Sequence, residues 1–116
     1  MKRCIVLTVT VLLVLATSAW AVRTTLTHST YSVTTSSGQA FASSVNRNYL
    51  LLQNDSNQRL YCKFNATAVL NEGITLAAQG TVGDTMEWFE RVPTTALNCI
   101  HGGTGSKVLL IAQGVQ

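Results

Sequence analysis

Few side chains in this 116-residue sequence stand in a pattern that supports chemistry. Cys99-x-His101 has the look of half a metal site. A zinc centre needs further ligands at Cys-x2–4-Cys or His-x3–5-His spacing. The other histidine, His28, has 72 residues between it and His101, so neither a metal nor a cofactor is expected. Asp84, Glu87 and Glu90 cluster, and paired carboxylates do acid–base work in glycosidases. That work requires a cleft that raises one pKa and holds a sugar, for which a chain of this length has little material. The ordinary reading is a solvated turn and strand face.

Gly102-Gly103-Thr104-Gly105 suggests a phosphate cradle, but a P-loop runs Gly-x-x-x-x-Gly-Lys-Ser/Thr from a strand into a helix. Here Ser106-Lys107 arrives in the reverse order ahead of an apolar strand, so the segment reads as a hairpin loop. No serine occupies a Gly-x-Ser-x-Gly elbow. The aromatic residues are more informative. Trp88 and Phe89 are adjacent, and adjacent residues of a strand face opposite ways. One is expected in the core and the other outside. An outward Trp88, with Tyr61 or Asp84, would make a surface for stacking on a sugar or anchoring a protein partner. Asn54-Asp55-Ser56 and Asn65-Ala66-Thr67 match the N-glycosylation acceptor pattern. Both read as chance triplets in a chain rich in Ser, Thr and Asn.

The elements that would hold these residues begin after a leader. Lys2-Arg3, the apolar run Ile5–Ala16 and Ala19-x-Ala21 reproduce the three parts of a secretory signal in order. Twelve residues make a helix of about 18 Å, short of the roughly 30 Å bilayer core. Cleavage is expected after Ala21, giving a mature start at Val22 and no stable membrane insertion afterwards. Residues 1–21 are thus assigned to the signal, 22–44 to a Ser/Thr-rich segment of edge strands or partial order, and 45–116 to the core of one domain.

Beyond the leader, Arg23, Arg47, Arg59, Lys63, Arg91 and Lys107 stand against Asp55, Glu72, Asp84, Glu87 and Glu90. That balance, with 47% hydrophobic residues overall, excludes disorder and gives no reason to expect nucleic-acid binding. The expected location is exported: periplasmic, extracellular or on a particle surface. With Cys4 in the leader, Cys62 and Cys99 remain as an even pair in a small exported domain, which favours a disulfide. Such a bond would be worth about 4 kcal/mol by the chain-entropy estimate. Two buried free thiols are the competing arrangement.

The rest of the chain reads as strands. Residues 24–37 hold ten Ser or Thr among fourteen, with Leu26, Tyr31 and Val33 interspersed, a β-rich pattern of poor helix propensity. Asn48–Gln53 is an almost unbroken apolar run, expected to be a central strand covered on both faces. The cluster Asn54-Asp55-Ser56-Asn57 follows, and then Arg59–Phe64 alternates, with Leu60, Cys62 and Phe64 on one face and Arg59, Tyr61 and Lys63 on the other. Strand, turn cluster and strand predict a hairpin. Short strands are also expected around Ile74–Leu76, Met86–Phe89, Ala96–Ile100 and Lys107–Ala112. With turns about every ten residues and no helical periodicity, the chain predicts an all-β antiparallel sandwich or open barrel of about seven or eight short strands.

The order of segments resembles a known group. Arg47-Asn-Tyr-Leu-Leu-Leu-Gln-Asn54, Arg59-Leu-Tyr-Cys-Lys-Phe64, Gly73-Ile-Thr-Leu-Ala-Ala-Gln-Gly80 and Val92-Pro-Thr-Thr-Ala-Leu97 precede a Gly-rich turn and a closing apolar strand. This is similar to small β-sandwich accessory proteins of tailed bacteriophages, found as head-decoration or fibre components, here with a secretory signal added. The resemblance covers about residues 45–114. It implies a non-enzymatic structural or adhesive role, with a protein lattice or other copies of the chain as partner. A small secreted carbohydrate-binding module using Trp88 is the alternative.

Overall fold

A computed structural model describes residues 24–116. The leader and its cleavage site lie outside the described residues. Eight strands follow in order: β1 (Thr25–Val33), β2 (Gly38–Phe41), β3 (Arg47–Asn54), β4 (Leu60–Phe64), β5 (Ile74–Leu76), β6 (Thr85–Trp88), β7 (Leu97–His101) and β8 (Lys107–Val115). They form two four-stranded antiparallel sheets, β1-β8-β3-β6 and β2-β7-β4-β5. The described chain is all-β, as its pattern predicts.

Six of the seven connections pass from one sheet to the other, and only β4 and β5 are consecutive partners. This connectivity is that of a double-sheet jelly roll. It corrects two expectations. The Asn48–Gln53 and Arg59–Phe64 segments are not a hairpin: β3 pairs with β8 and β6, β4 with β7 and β5. The Gly102–Ser106 loop is likewise not a hairpin loop, since it carries β7 of the second sheet into β8 of the first.

The physical reason sits at the strand ends. Leu50 and Leu52 point into the core, and the period of two sends Asn54 inward with them, fully buried. Its Nδ2 donates to the carbonyls of Gln58 (2.6 Å) and Ala77 (2.7 Å), and Ser56 Oγ donates to its Oδ1 (2.6 Å). A two-residue hairpin would leave that amide without these partners. The arch between sheets supplies carbonyls from both flanking segments. His101 ends β7 in the same way, inward in phase with Leu97 and Cys99 and fully buried. It accepts from Gly103 N–H at Nδ1 (3.1 Å) and donates from Nε2 to Gly105 O (2.7 Å). The neutral ring thereby closes the glycine-rich arch from inside.

Arg47 fixes the opposite end. Its guanidinium lies 4.4 Å from the centre of the Phe41 ring. It donates to Ala42 O, Pro93 O, Thr95 O and Gln113 Oε1 at 2.7–3.1 Å. One buried cation thus ties the β2–β3 and β6–β7 loops to β8. Burial lowers its pKa from the ordinary arginine value, and the guanidinium remains charged.

Between these poles lies the core, built from Val33, Leu50, Leu52, Leu60, Leu76, Leu97, Leu109 and Ile111 with the Cys62–Cys99 disulfide. The two cysteines are directly opposite on β4 and β7, with Cα atoms 4.2 Å apart, the close spacing of a non-hydrogen-bonded antiparallel pair. Phe64 meets Phe41 on one side and the edge of Trp88 on the other, with centroids 6.5 and 5.7 Å apart.

Candidate functional site

The structure disperses the residues whose types suggested chemistry. His28 is exposed on β1 of the first sheet, and His101 is buried in the second. Cys99 is consumed by its disulfide. Asp84 holds a turn, accepting from Gly80 N–H (2.9 Å) and Thr85 Oγ1 (3.0 Å). Glu87 points out from β6, and Glu90 is exposed beyond the strand. Among the described residues no three His, Cys, Asp or Glu side chains gather in a group able to hold a metal ion.

Trp88, the last residue of β6, and Phe89, just beyond it, divide between core and solvent. Trp88 packs against the core, opposite buried Leu50, while Phe89 is 71% exposed. Tyr61 lies on the outer face of the second sheet, and Trp88 on the inner face of the first. These two aromatics therefore do not share a platform. Of the two glycosylation triplets, the first is closed to modification, because the Asn54 amide is buried and fully engaged. Asn65 is exposed.

A different surface stands out, built on the strand expected to be covered on both faces and on the closing apolar strand beside it. β3 and β8 are central in the first sheet, but only one face of each meets the core. Along β3, buried Leu50, Leu52 and Asn54 alternate with half-buried Tyr49, Leu51 and Gln53. Along β8, Leu109 and Ile111 point in, while Val108, Leu110 and Ala112 point out. Leu110 and Ala112, with the outward residues of β3 and Leu26, His28 and Thr30 of edge strand β1, line a shallow groove of about 590 Å³ on the outer face. The unbroken apolar runs of β3 and β8 are thus explained by two apolar faces, one enclosed and one open.

The open face is closely ordered. Gly114 permits Thr24 and Tyr49 to close over β8, since a Cβ there would lie 2.6 Å from Thr24 Cγ2 and 2.8 Å from Tyr49 Cβ. Tyr49 Oη donates to Glu87 Oε1 (2.7 Å) across β3 and β6. That bond, with some desolvation and the carboxylate's charge, holds the phenol above its ordinary pKa of 10.0.

The outer face of the second sheet contrasts with it. The 65–73 connection runs over that face, where Asn98 Nδ2 donates to Ala66 O (2.7 Å) and Lys63 pairs with Glu72. Leu70 lies next to Gly102, and buried Ala68 donates its N–H to Ser37 Oγ (2.8 Å). Among the described residues, one sheet is therefore roofed by its own chain and the other is not. Sequence reasoning misses this face because a run such as Tyr49-Leu-Leu-Leu52 is equally consistent with burial on both sides. The polar Gln53, in phase with Tyr49 and Leu51, is the available signal that this face is open among the described residues.

Comparison with known proteins finds no matching family model, no matching curated protein and no matching solved structure.

Proposed function

We propose that this protein is a non-enzymatic, exported structural or adhesive module that works by surface contact, in the manner of the decoration and fibre components of tailed phages. The observation that carries this reading is the open apolar face of the first sheet, presented on a sandwich held by a core disulfide and by buried polar ties at both poles. The disulfide is compatible with an oxidising, exported environment, in keeping with the leader's pattern. The face lies on hydrogen-bonded strands instead of loops, which limits the ordering cost of binding and favours contact between preformed surfaces. The alternative carbohydrate-binding reading draws no support from the placement of Trp88.

The test is recovery of the protein from cells producing the full chain. The expected product begins at Val22, is two hydrogens lighter than the dithiol form, and pellets with large protein assemblies. A reduced, unprocessed chain retained in the cytosol contradicts export. A processed chain that stays soluble, and whose binding to a glycan array is lost in Trp88→Ala, contradicts the contact role and moves the assignment to a carbohydrate-binding module.

A further inference from the structure

We infer that the open face of the first sheet is a self-association surface, and that a second copy of this chain seats on it. The inference deepens the contact-module reading by naming the partner of that face. Four observations converge on this occupant. The face is apolar along its centre, with Leu51 of β3 and Leu110 and Ala112 of β8 flanked by Leu26 of β1 and the Tyr49 ring. Among the outward strand residues of this face the carboxylate is Glu87, already bonded to Tyr49 Oη. Glu87 sits on edge strand β6, so two copies can meet over the apolar centre without apposing like charges there.

Size is the third observation. Three long strands at about 4.8 Å spacing and about 30 Å length, with the short β6 beside them, give a plan area near 480 Å². Two copies seated face to face therefore bury roughly 1,000 Å² together, the size of a weak, reversible contact. The fourth is the asymmetry of the fold. The 65–73 connection covers the opposite sheet, whereas the described chain has no segment over the outer face of the first. Face-to-face seating of two such sheets is ordinary sandwich packing at about 10 Å, with the Leu51 and Leu110 side chains interdigitating.

The test is sedimentation velocity on the purified protein from about 1 to 100 μM. The expected result is a concentration-dependent assembly of two or more copies. Leu51→Glu and Leu110→Glu each place an unpaired carboxylate in the contact and should raise the dissociation constant about 100-fold or more. Leu26→Glu, at a half-exposed position on an edge strand, does the same with little risk to the fold. Tyr61→Glu on the other sheet leaves assembly unchanged. Circular dichroism and melting temperature confirm that each variant is folded. A wild-type protein that stays monomeric at 100 μM overturns the inference, and so does assembly that survives Leu26→Glu and Leu110→Glu. Neither outcome decides the contact-module reading, which the pelleting experiment judges separately.

Discussion

Three buried polar side chains decide how this chain turns. Arg47, Asn54 and His101 are each at most 4% exposed, and each binds carbonyls or amides of the loop it anchors. Removing such a side chain leaves buried carbonyls without donors, at about 1–3 kcal/mol per orphaned group. Asn54→Ala is accordingly expected to lower unfolding stability by about 2–3 kcal/mol, measured by urea titration. Asn54→Asp should be worse, because a carboxylate would face the same carbonyls. For His101, the obligatory donor Gly103 N–H and the obligatory acceptor Gly105 O fix the tautomer with the proton on Nε2. Nitrogen chemical shifts of the ring should report that form.

Tyr49 gives a pH prediction at the same scale. Its folded pKa is raised by Glu87, so the folded chain keeps a proton that the unfolded chain releases near pH 10. The contribution is present below that pH and is lost as pH climbs through the folded value. Glu87→Gln should bring the Tyr49 titration, followed by ring carbon shifts, back down toward 10. A Tyr49 titration unmoved by that substitution contradicts the assignment.

At the scale of elements, strands were legible and their partners were not. Alternation in Arg59–Phe64 marks which side chains face the core, and the structure shows Leu60 and Cys62 fully buried with Phe64 packed beside them. Local sequence does not state whether a strand folds back on its neighbour or crosses to the facing sheet, because the same Asn-Asp-Ser-Asn cluster serves either turn. The distinguishing signal is phase. Asn54 follows Leu50 and Leu52 at intervals of two, and His101 follows Leu97 and Cys99. A polar residue due inside at a strand's end calls for partners that an arch between sheets provides. The disulfide was legible from cysteine number, and its placement across β4 and β7 was not.

That bond and the β4–β5 connection supply further tests. Cys62→Ala/Cys99→Ala should lose up to about 4 kcal/mol of stability by the loop-entropy estimate, read from denaturant midpoints of the two forms. Gly73 turns the chain into β5 with φ +78°, and a Cβ there would lie 2.5 Å from the Cys62 carbonyl oxygen. Backbone crowding at a left-handed position is costly. Gly73→Ala is expected to lower the melting temperature by several degrees, roughly 1–3 kcal/mol.

For the whole molecule, a jelly roll by itself assigns no activity; what distinguishes this one is the unequal treatment of its two outer faces. Among the described residues the 65–73 connection covers one sheet, while Leu51 and Leu110 of the other line an open face. Site-specific photo-crosslinking in producing cells tests that division most directly. A benzophenone side chain at Leu51 or Leu110, illuminated in the intact culture, should yield a discrete adduct of twice the chain's mass, while the same group at Tyr61 yields none. Adducts formed from Tyr61 alone, or no adduct from Leu51 and Leu110, would contradict the account.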